Sequence, residues 1–225
     1  SPYVAISEVW NGSSWTEVND MNTGRGERLG GAGTTTDAVA FGGGDGSASG
    51  KTEHYNGTSW AEGGDLSNAI TSHGGCGTAT LALCFGGWNL PGAQNNTEEW
   101  TMPSTFRQFN VGDIYYNADP SSGVLKYVGY GTGAWASGGN MNTSRNALVG
   151  YGLTNSAAGA VGGTIPPGAV PTANNETYDG SAWTEQANLN TARAYMGGSG
   201  SQTSALVFAG DERPANPTVP AVTVE

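Results

Sequence analysis

The amino-acid sequence predicts an all-β fold of short antiparallel strands, gathered four at a time into the blades of a propeller. Three observations lead there. The chain repeats itself at a spacing near 45 residues. Each repeat sets turn-forming residues between short apolar runs, the pattern of tight hairpins. No stretch sustains helical apolar spacing between caps, so almost no helix is expected. Composition agrees: 38 of 225 residues are Gly, more than twice the usual share of about 7%. Seven Trp, nine Tyr and five Phe supply a core.

The repeats are read in chain order. Glu8-Val9-Trp10-Asn11-Gly12-Ser13-Ser14-Trp15 matches Glu53-His54-Tyr55-Asn56-Gly57-Thr58-Ser59-Trp60, and both match Glu176 to Trp183. A split copy begins at Glu98-Glu99-Trp100 and resumes at Ala134-Trp135. Between these lie Ala38-Val39-Ala40-Phe41-Gly42-Gly43 and its counterparts ending at Gly87, Gly163 and Gly210. A third block runs Met21-Asn22-Thr23-Gly24-Arg25, Met141 to Arg145 and Leu189 to Arg193. The chain is read as one domain with repeats 8–52, 53–97, 98–175 and 176–224. Glu225 begins a further copy.

Each repeat is predicted to hold four strands: a Gly-rich one such as Gly30 to Gly33, an apolar one ending in Gly-Gly, a Glu-x-aromatic one, and one starting at the Trp. Asn-Gly or Asp-Gly between the last two needs positive φ and marks a tight hairpin. The third repeat carries an insert of about 30 residues, 101–133, with two stretches of a further hairpin, Gly112 to Asn117 and Ser122 to Tyr127. Units of this size with four antiparallel strands describe propeller blades. A closed four-bladed ring would pair Tyr3 to Trp10 with the blade containing Met196 to Phe208. A larger ring, in which this chain is a segment of a longer one, is the favoured expectation.

The Gly-Gly after an apolar strand, the aromatic before a turn, the Trp after it and the downstream Arg together resemble the kelch repeat, over nearly the whole chain. Tyr55-Asn56-Gly57-Thr58-Ser59-Trp60 and Leu189-Asn190-Thr191-Ala192-Arg193 are similar to kelch-type repeats of tailed-bacteriophage virion proteins. The insert hairpin is similar to a module of phage tail fibres. The resemblance implies a kelch-like propeller in a virion, acting as a tail-fibre or appendage protein. Its expected partners are other virion chains, a further copy of itself and a host surface glycan. The alternatives are a free carbohydrate-binding lectin and a secreted glycan-active enzyme.

Composition excludes some classes. Lys plus Arg is 8 and Asp plus Glu is 19, for a formal charge of -11. Without a basic cluster the chain is a poor nucleic-acid ligand. No apolar run approaches the roughly 20 residues of a membrane helix, so no membrane insertion is expected. Catalysis lacks candidates. No Gly-x-Ser-x-Gly, Walker loop or His-Glu-x-x-His is present, and His54 and His73 stand in different contexts. No enzyme activity, cofactor or metal is expected.

The recurring residues invite two readings each. Trp15, Trp60, Trp135 and Trp183 could form a sugar platform; recurrence in every repeat favours packing between blades. Glu8, Glu53, Glu98 and Glu176, with Arg25, Arg145 and Arg193, could hold a carboxylate ligand; a charge-assisted network joining strands is favoured. In the second unit a segment such as Ile70-Thr71-Ser72 takes the place of the Arg. Cys76 and Cys84 replace Ala32 and Ala40 and are read as small buried thiols, with a cross-strand disulfide as the alternative. Recognition is expected on the variable loops between second and third strands, with Asp45, Trp88, Asn89 and Asp211 as the candidate binding face.

Overall fold

Turn-forming residues cut the chain into strands of two to six residues. A computed structural model describes residues 3–90, 92–102, 114–117, 124–127, 133–166 and 170–212, and among them there is no helix. Strands β1 (Ser7–Trp10) and β2 (Trp15–Val18) pair antiparallel as a two-stranded sheet. Strands β3 (Gly30–Gly33), β4 (Ala38–Phe41), β5 (Thr52–Tyr55) and β6 (Trp60–Glu62) form the first four-stranded sheet, in chain order.

The second four-stranded sheet contains β7 (Gly74–Gly77), β8 (Leu81–Phe85), β11 (Thr97–Thr101) and β14 (Ala134–Ser137). Two small ladders interrupt it: β9 (Trp88–Asn89) with β10 (Gly92–Ala93), and β12 (Ile114–Asn117) with β13 (Val124–Tyr127). The third consists of β15 (Val149–Thr154), β16 (Ala157–Val161), β19 (Asn175–Tyr178) and β20 (Trp183–Glu185), with the ladder β17 (Thr164–Ile165) and β18 (Val170–Pro171) between its second and third strands. Strands β21 (Gly197–Ser201) and β22 (Ser204–Phe208) close the described chain as a two-stranded sheet. The rest of the insert and the further copy starting at Glu225 lie outside the described residues.

The three large sheets share one register: Ala40 faces Glu53, Cys84 faces Glu98, and Ala160 faces Glu176. Hairpin chemistry sets a different pairing, that of β1 with β2, β5 with β6 and β19 with β20. Asn11, Asn56 and Asp179 each turn Oδ1 onto two backbone N–H groups, two and three residues ahead, at 2.8–3.0 Å. The Gly that follows each has φ between 88° and 98°, which a side chain resists.

The Gly-Gly pairs have a second geometric task. Gly42–Gly43, Gly86–Gly87 and Gly162–Gly163 all have positive φ. Two consecutive left-handed residues turn the chain sharply after the second strand and aim the second N–H at the next sheet. Gly43 donates to Ile70 O, Gly87 to Arg145 O and Gly163 to Arg193 O, at 2.8–2.9 Å. A parallel series joins the same sheets: Ser72 N to Glu27 O, Ala147 N to Ser72 O, and Tyr195 N to Ala147 O.

The sheets follow one another in chain order, with β3, β7, β15 and β21 successive neighbours. The core lies between them. Val39, Phe41, Ile70, Ala82, Cys84 and Trp100 fill the first interface. Leu83, Phe85, Met141, Leu148, Tyr178 and Trp183 fill the second. Val149, Tyr151 and Val161 meet the last two-stranded sheet. Burying a Phe fully, as at Phe41 and Phe85, contributes about 1.5–3 kcal/mol. Among the described residues β1 pairs only with β2, and β22 only with β21. The pairing that a closed four-bladed ring requires is not made.

Candidate functional site

The recurring Glu and Arg residues meet inside the sheets. Arg25 Nη2 lies 3.1 Å from Glu53 Oε1, with both side chains fully buried. Arg25 Nη1 donates to the carbonyls of Gly42 and Lys51, and Glu53 also accepts the N–H groups of Asn22 and Thr23. The third sheet repeats this. Arg145 Nη2 lies 2.7 Å from Glu176 Oε1, Arg145 Nη1 reaches Gly162 O and Asn174 O, and Glu176 accepts Asn142 N–H. Burial pushes the Arg145 guanidinium below its ordinary pKa, against the pull of Glu176. In the second sheet Ile70 stands in the arginine's place, and among the described residues Glu98 accepts the backbone N–H groups of Ser67 and Asn68. Arg193, also fully buried, donates to Ala209 O. The charges tie each incoming loop to its own sheet and are not presented to a ligand. Glu8, in the two-stranded sheet, is exposed.

The tryptophans bridge sheets. Trp60 Nε1 donates to Ser7 Oγ, Trp135 Nε1 to Thr52 Oγ1, and Trp183 Nε1 to Thr97 Oγ1, at 2.9–3.1 Å, each reaching the preceding sheet. Phe41 meets Trp135, and Phe85 meets Trp183, edge-on at 5.0 Å. The packing expected at every repeat is graded. Trp183 is buried, Trp60 and Trp135 are half-buried, and Trp15 is 65% exposed. No described sheet precedes Trp15, and its ring meets that of Trp10, 5.6 Å away.

The two cysteines are free and buried. A disulfide between them is ruled out by the pleat. Cys76 faces Leu83 across the ladder and Gly75 faces Cys84, so the two thiols point to opposite faces and join different clusters. Burial pushes Cys76 up to about 12 and Cys84 well above its ordinary value. Cys84 Sγ lies 3.4 Å from Nδ1 of His73. His73 is buried, stacked on Phe41, with Nε2 3.3 Å from Phe41 O. Burial holds its pKa below the ordinary imidazole value. His54 Nε2 lies 2.6 Å from Asp37 Oδ1 in another sheet. The two histidines share no site.

The candidate loop residues are separated. Gly44, Trp88, Thr164 and Asp211 each follow a double turn, and each bridges a residue of the segment that leads into its own sheet. Trp88 is half-buried and opens the β9–β10 ladder. Asn89 Nδ2 donates to Ala69 O at 3.2 Å. Asp211 exchanges both backbone hydrogen bonds with Ala194. Thr164 of the third sheet stands between Trp88 and Asp211 in the series, and Asp45 lies exposed beyond Gly44. Among the described residues no group of three His, Cys, Asp or Glu side chains could hold a metal ion.

The architecture has a counterpart among solved structures. The chain is similar to the structure titled "Structure of YjhT", with a TM-score of 0.63, 12% identity, and coverage of 93% of this chain and 68% of that one. At that identity the likeness concerns the fold alone. No family model matches the chain, and no curated protein sequence matches it.

An aromatic groove was not singled out from sequence. A groove of about 400 Å³ opens between the β1–β2 sheet and the first four-stranded sheet, lined by Val9, Trp10, Trp15, Thr34, Tyr55 and Trp60. A second, of about 470 Å³, continues it along Gly30 to Thr34 and Ala38 to Ala40. The signal was present in Trp10, which shares the repeated aromatic position of Tyr55 and Tyr178. What sequence did not convey is that this position stays uncovered in the two-stranded sheet.

Proposed function

We propose that the chain is a kelch-like β-propeller whose sheets are its blades, and that it serves as a non-enzymatic structural or adhesion protein of a bacteriophage particle. The observation that carries this reading is the fate of the recurring polar residues. Arg25, Arg145, Glu53 and Glu176 are buried and bonded within the framework, and His73 is enclosed between sheets. What the surface offers is turns and aromatic side chains, suited to contact with chains or glycans. The repeats that resemble phage virion proteins support the particle assignment, with other virion chains and a host glycan as partners. Mass spectrometry of purified particles from the source sample tests it. The chain should copurify with virions, and its absence from every virion fraction would remove the assignment.

A second reading is a carbohydrate-binding lectin, favoured by the Trp10–Trp15 groove, since exposed indole faces stack on sugar rings. A glycan array with the purified protein separates the two. Binding lost in Trp15→Ala, by a protein absent from virions, would favour the lectin.

A further inference from the structure

The second four-stranded sheet keeps the frame that holds an arginine in its neighbours and has isoleucine in the arginine's place. In the first sheet the Arg25 guanidinium is held by Glu53 Oε1 and the carbonyls of Gly42 and Lys51. In the third, Arg145 is held by Glu176 Oε1 and the carbonyls of Gly162 and Asn174. The corresponding atoms of the second sheet are Glu98 Oε1, Gly86 O and Asn96 O. Register fixes the correspondence: Glu98 faces Cys84 as Glu53 faces Ala40 and Glu176 faces Ala160. Gly86 N donates to Asn96 O as Gly42 N does to Lys51 O and Gly162 N to Asn174 O.

The carboxylate is posed alike as well. Glu53 takes the Asn22 N–H on Oε2 at 2.6 Å and the Thr23 N–H on Oε1 at 3.3 Å. Glu98 takes the Ser67 N–H on Oε2 at 2.8 Å and the Asn68 N–H on Oε1 at 3.3 Å, and it is only 6% exposed. Ile70 has the arginine's backbone position. Its N–H donates to Ser49 O and its carbonyl accepts the Gly43 N–H, as Arg145 does with Gln94 and Gly87. Its side chain belongs to the apolar cluster of Phe41, Leu66, Cys84 and Trp100. Isoleucine ends where an arginine stem reaches Cδ, so it brings neither donor nor charge to the three oxygens. His73, beside Cys84, turns Nε2 to Phe41 O instead.

A buried carboxylate without a counter-charge is costly. One carboxylate with two neutral carbonyls balances a single positive charge, and main-chain carbonyls can replace the hydration shell of an alkali ion. We propose that Glu98 Oε1, Gly86 O and Asn96 O bind a monovalent metal cation, sodium or potassium, where the first and third sheets place a guanidinium. Asn96 is half-buried, which gives the ion a way in from solvent. The site uses one carboxylate and main-chain oxygens, and so differs from a cluster of side-chain ligands. It is independent of membership in a virion.

Thermal melting at constant ionic strength tests it, with choline chloride supplying a cation too large for the frame. The wild type should melt about 2–4 °C higher in sodium or potassium chloride than in choline chloride, and the shift should saturate. Comparing the two salts identifies the ion. Ile70→Arg supplies the cation covalently. It should melt above the wild type in choline chloride and lose the response to sodium and potassium. Glu98→Gln, of the same size, removes the charge and should lose the response too, so the test stands even if Ile70→Arg fails to fold. A wild type that melts alike in all three salts overturns the proposal. So does a response that persists in either variant, because that is screening of the acidic surface. Neither result touches the particle assay, which succeeds or fails by itself.

Discussion

The indole N–H of Trp183 donates to Thr97 Oγ1 at 2.9 Å, across an interface between residues 86 positions apart. Removing this ring should cost about 3–5 kcal/mol, the range for a buried aromatic cut to Ala. Trp15→Ala, at a site 65% exposed, should stay within about 0.5 kcal/mol. Denaturant unfolding of both variants checks the contrast; equal effects would mean that Trp183 does not pack between sheets.

Arg145→Met leaves Glu176 buried with only the Asn142 N–H among its described partners. Breaking a buried pair from one side costs about 3–5 kcal/mol. Arg145→Met combined with Glu176→Gln should recover part of that loss, because no uncompensated charge remains. The urea midpoints of the single and double variants give the coupling directly.

Gly87 and Gly12 separate two kinds of glycine. Both have φ near 98°, but a methyl at Gly87 would stand 2.8 Å from Thr71 O and 2.7 Å from the His73 side chain, whereas nothing lies within 4 Å at Gly12. Gly12→Ala should cost about 1–2 kcal/mol from strained backbone alone. Gly87→Ala adds a clash and should cost more. Thermal melts that rank them in reverse would contradict the geometry.

Stability should fall in acid through His73. Its pKa is lowered in the folded protein from 6.5 by burial, so below that pH the unfolded chain binds a proton that the folded one does not. More protons in the unfolded state means stability lost as pH falls through that window. His73→Leu, copying Leu148 at the equivalent place, should flatten the dependence. At the alkaline end the sign has another source. Cys76 titrates near 9 unfolded and about 12 folded, so the folded chain holds the extra proton and stability falls as pH rises from 9 towards 12. Urea midpoints across pH for wild type and His73→Leu show the first effect, and those of Cys76→Ala the second.

Much of the architecture was legible because the repeats carry their own turn chemistry. Asn56-Gly57 and Gly42-Gly43 place two reversals per unit, and the strands between them have one way to pair. The Glu–Arg network was legible in kind, since Arg25 and Arg145 close the same repeated block, and Glu53 and Glu176 open the same following one, which implies one repeated contact. The orientation of Cys76 and Cys84 was not. Both replace alanines, and only the register, with Cys76 opposite Leu83, shows that the pleat separates them. The small ladders β9–β10 and β17–β18 were read as loops because two-residue strands leave no periodicity. The Trp10–Trp15 groove was hidden for a different reason: repetition suggests equal burial in every unit, and burial depends on which neighbouring sheet is there to provide it.

Three turns use an acidic or amide side chain in the same way, and this bears on how the protein ages. Asn-Gly is the pair in which the side chain most readily closes on the next backbone nitrogen and loses ammonia, and Asn11 and Asn56 both precede Gly. At each, the Oδ1 atom holds the turn through two N–H groups. Asp179 already does this work with a carboxylate, at 2.8 and 2.9 Å. Conversion of either asparagine to aspartate would therefore keep the turn and add only a negative charge. Conversion to the isomer with an extra backbone methylene would lengthen the loop and break the hairpin, so the two products of one slow reaction would have opposite consequences for the fold.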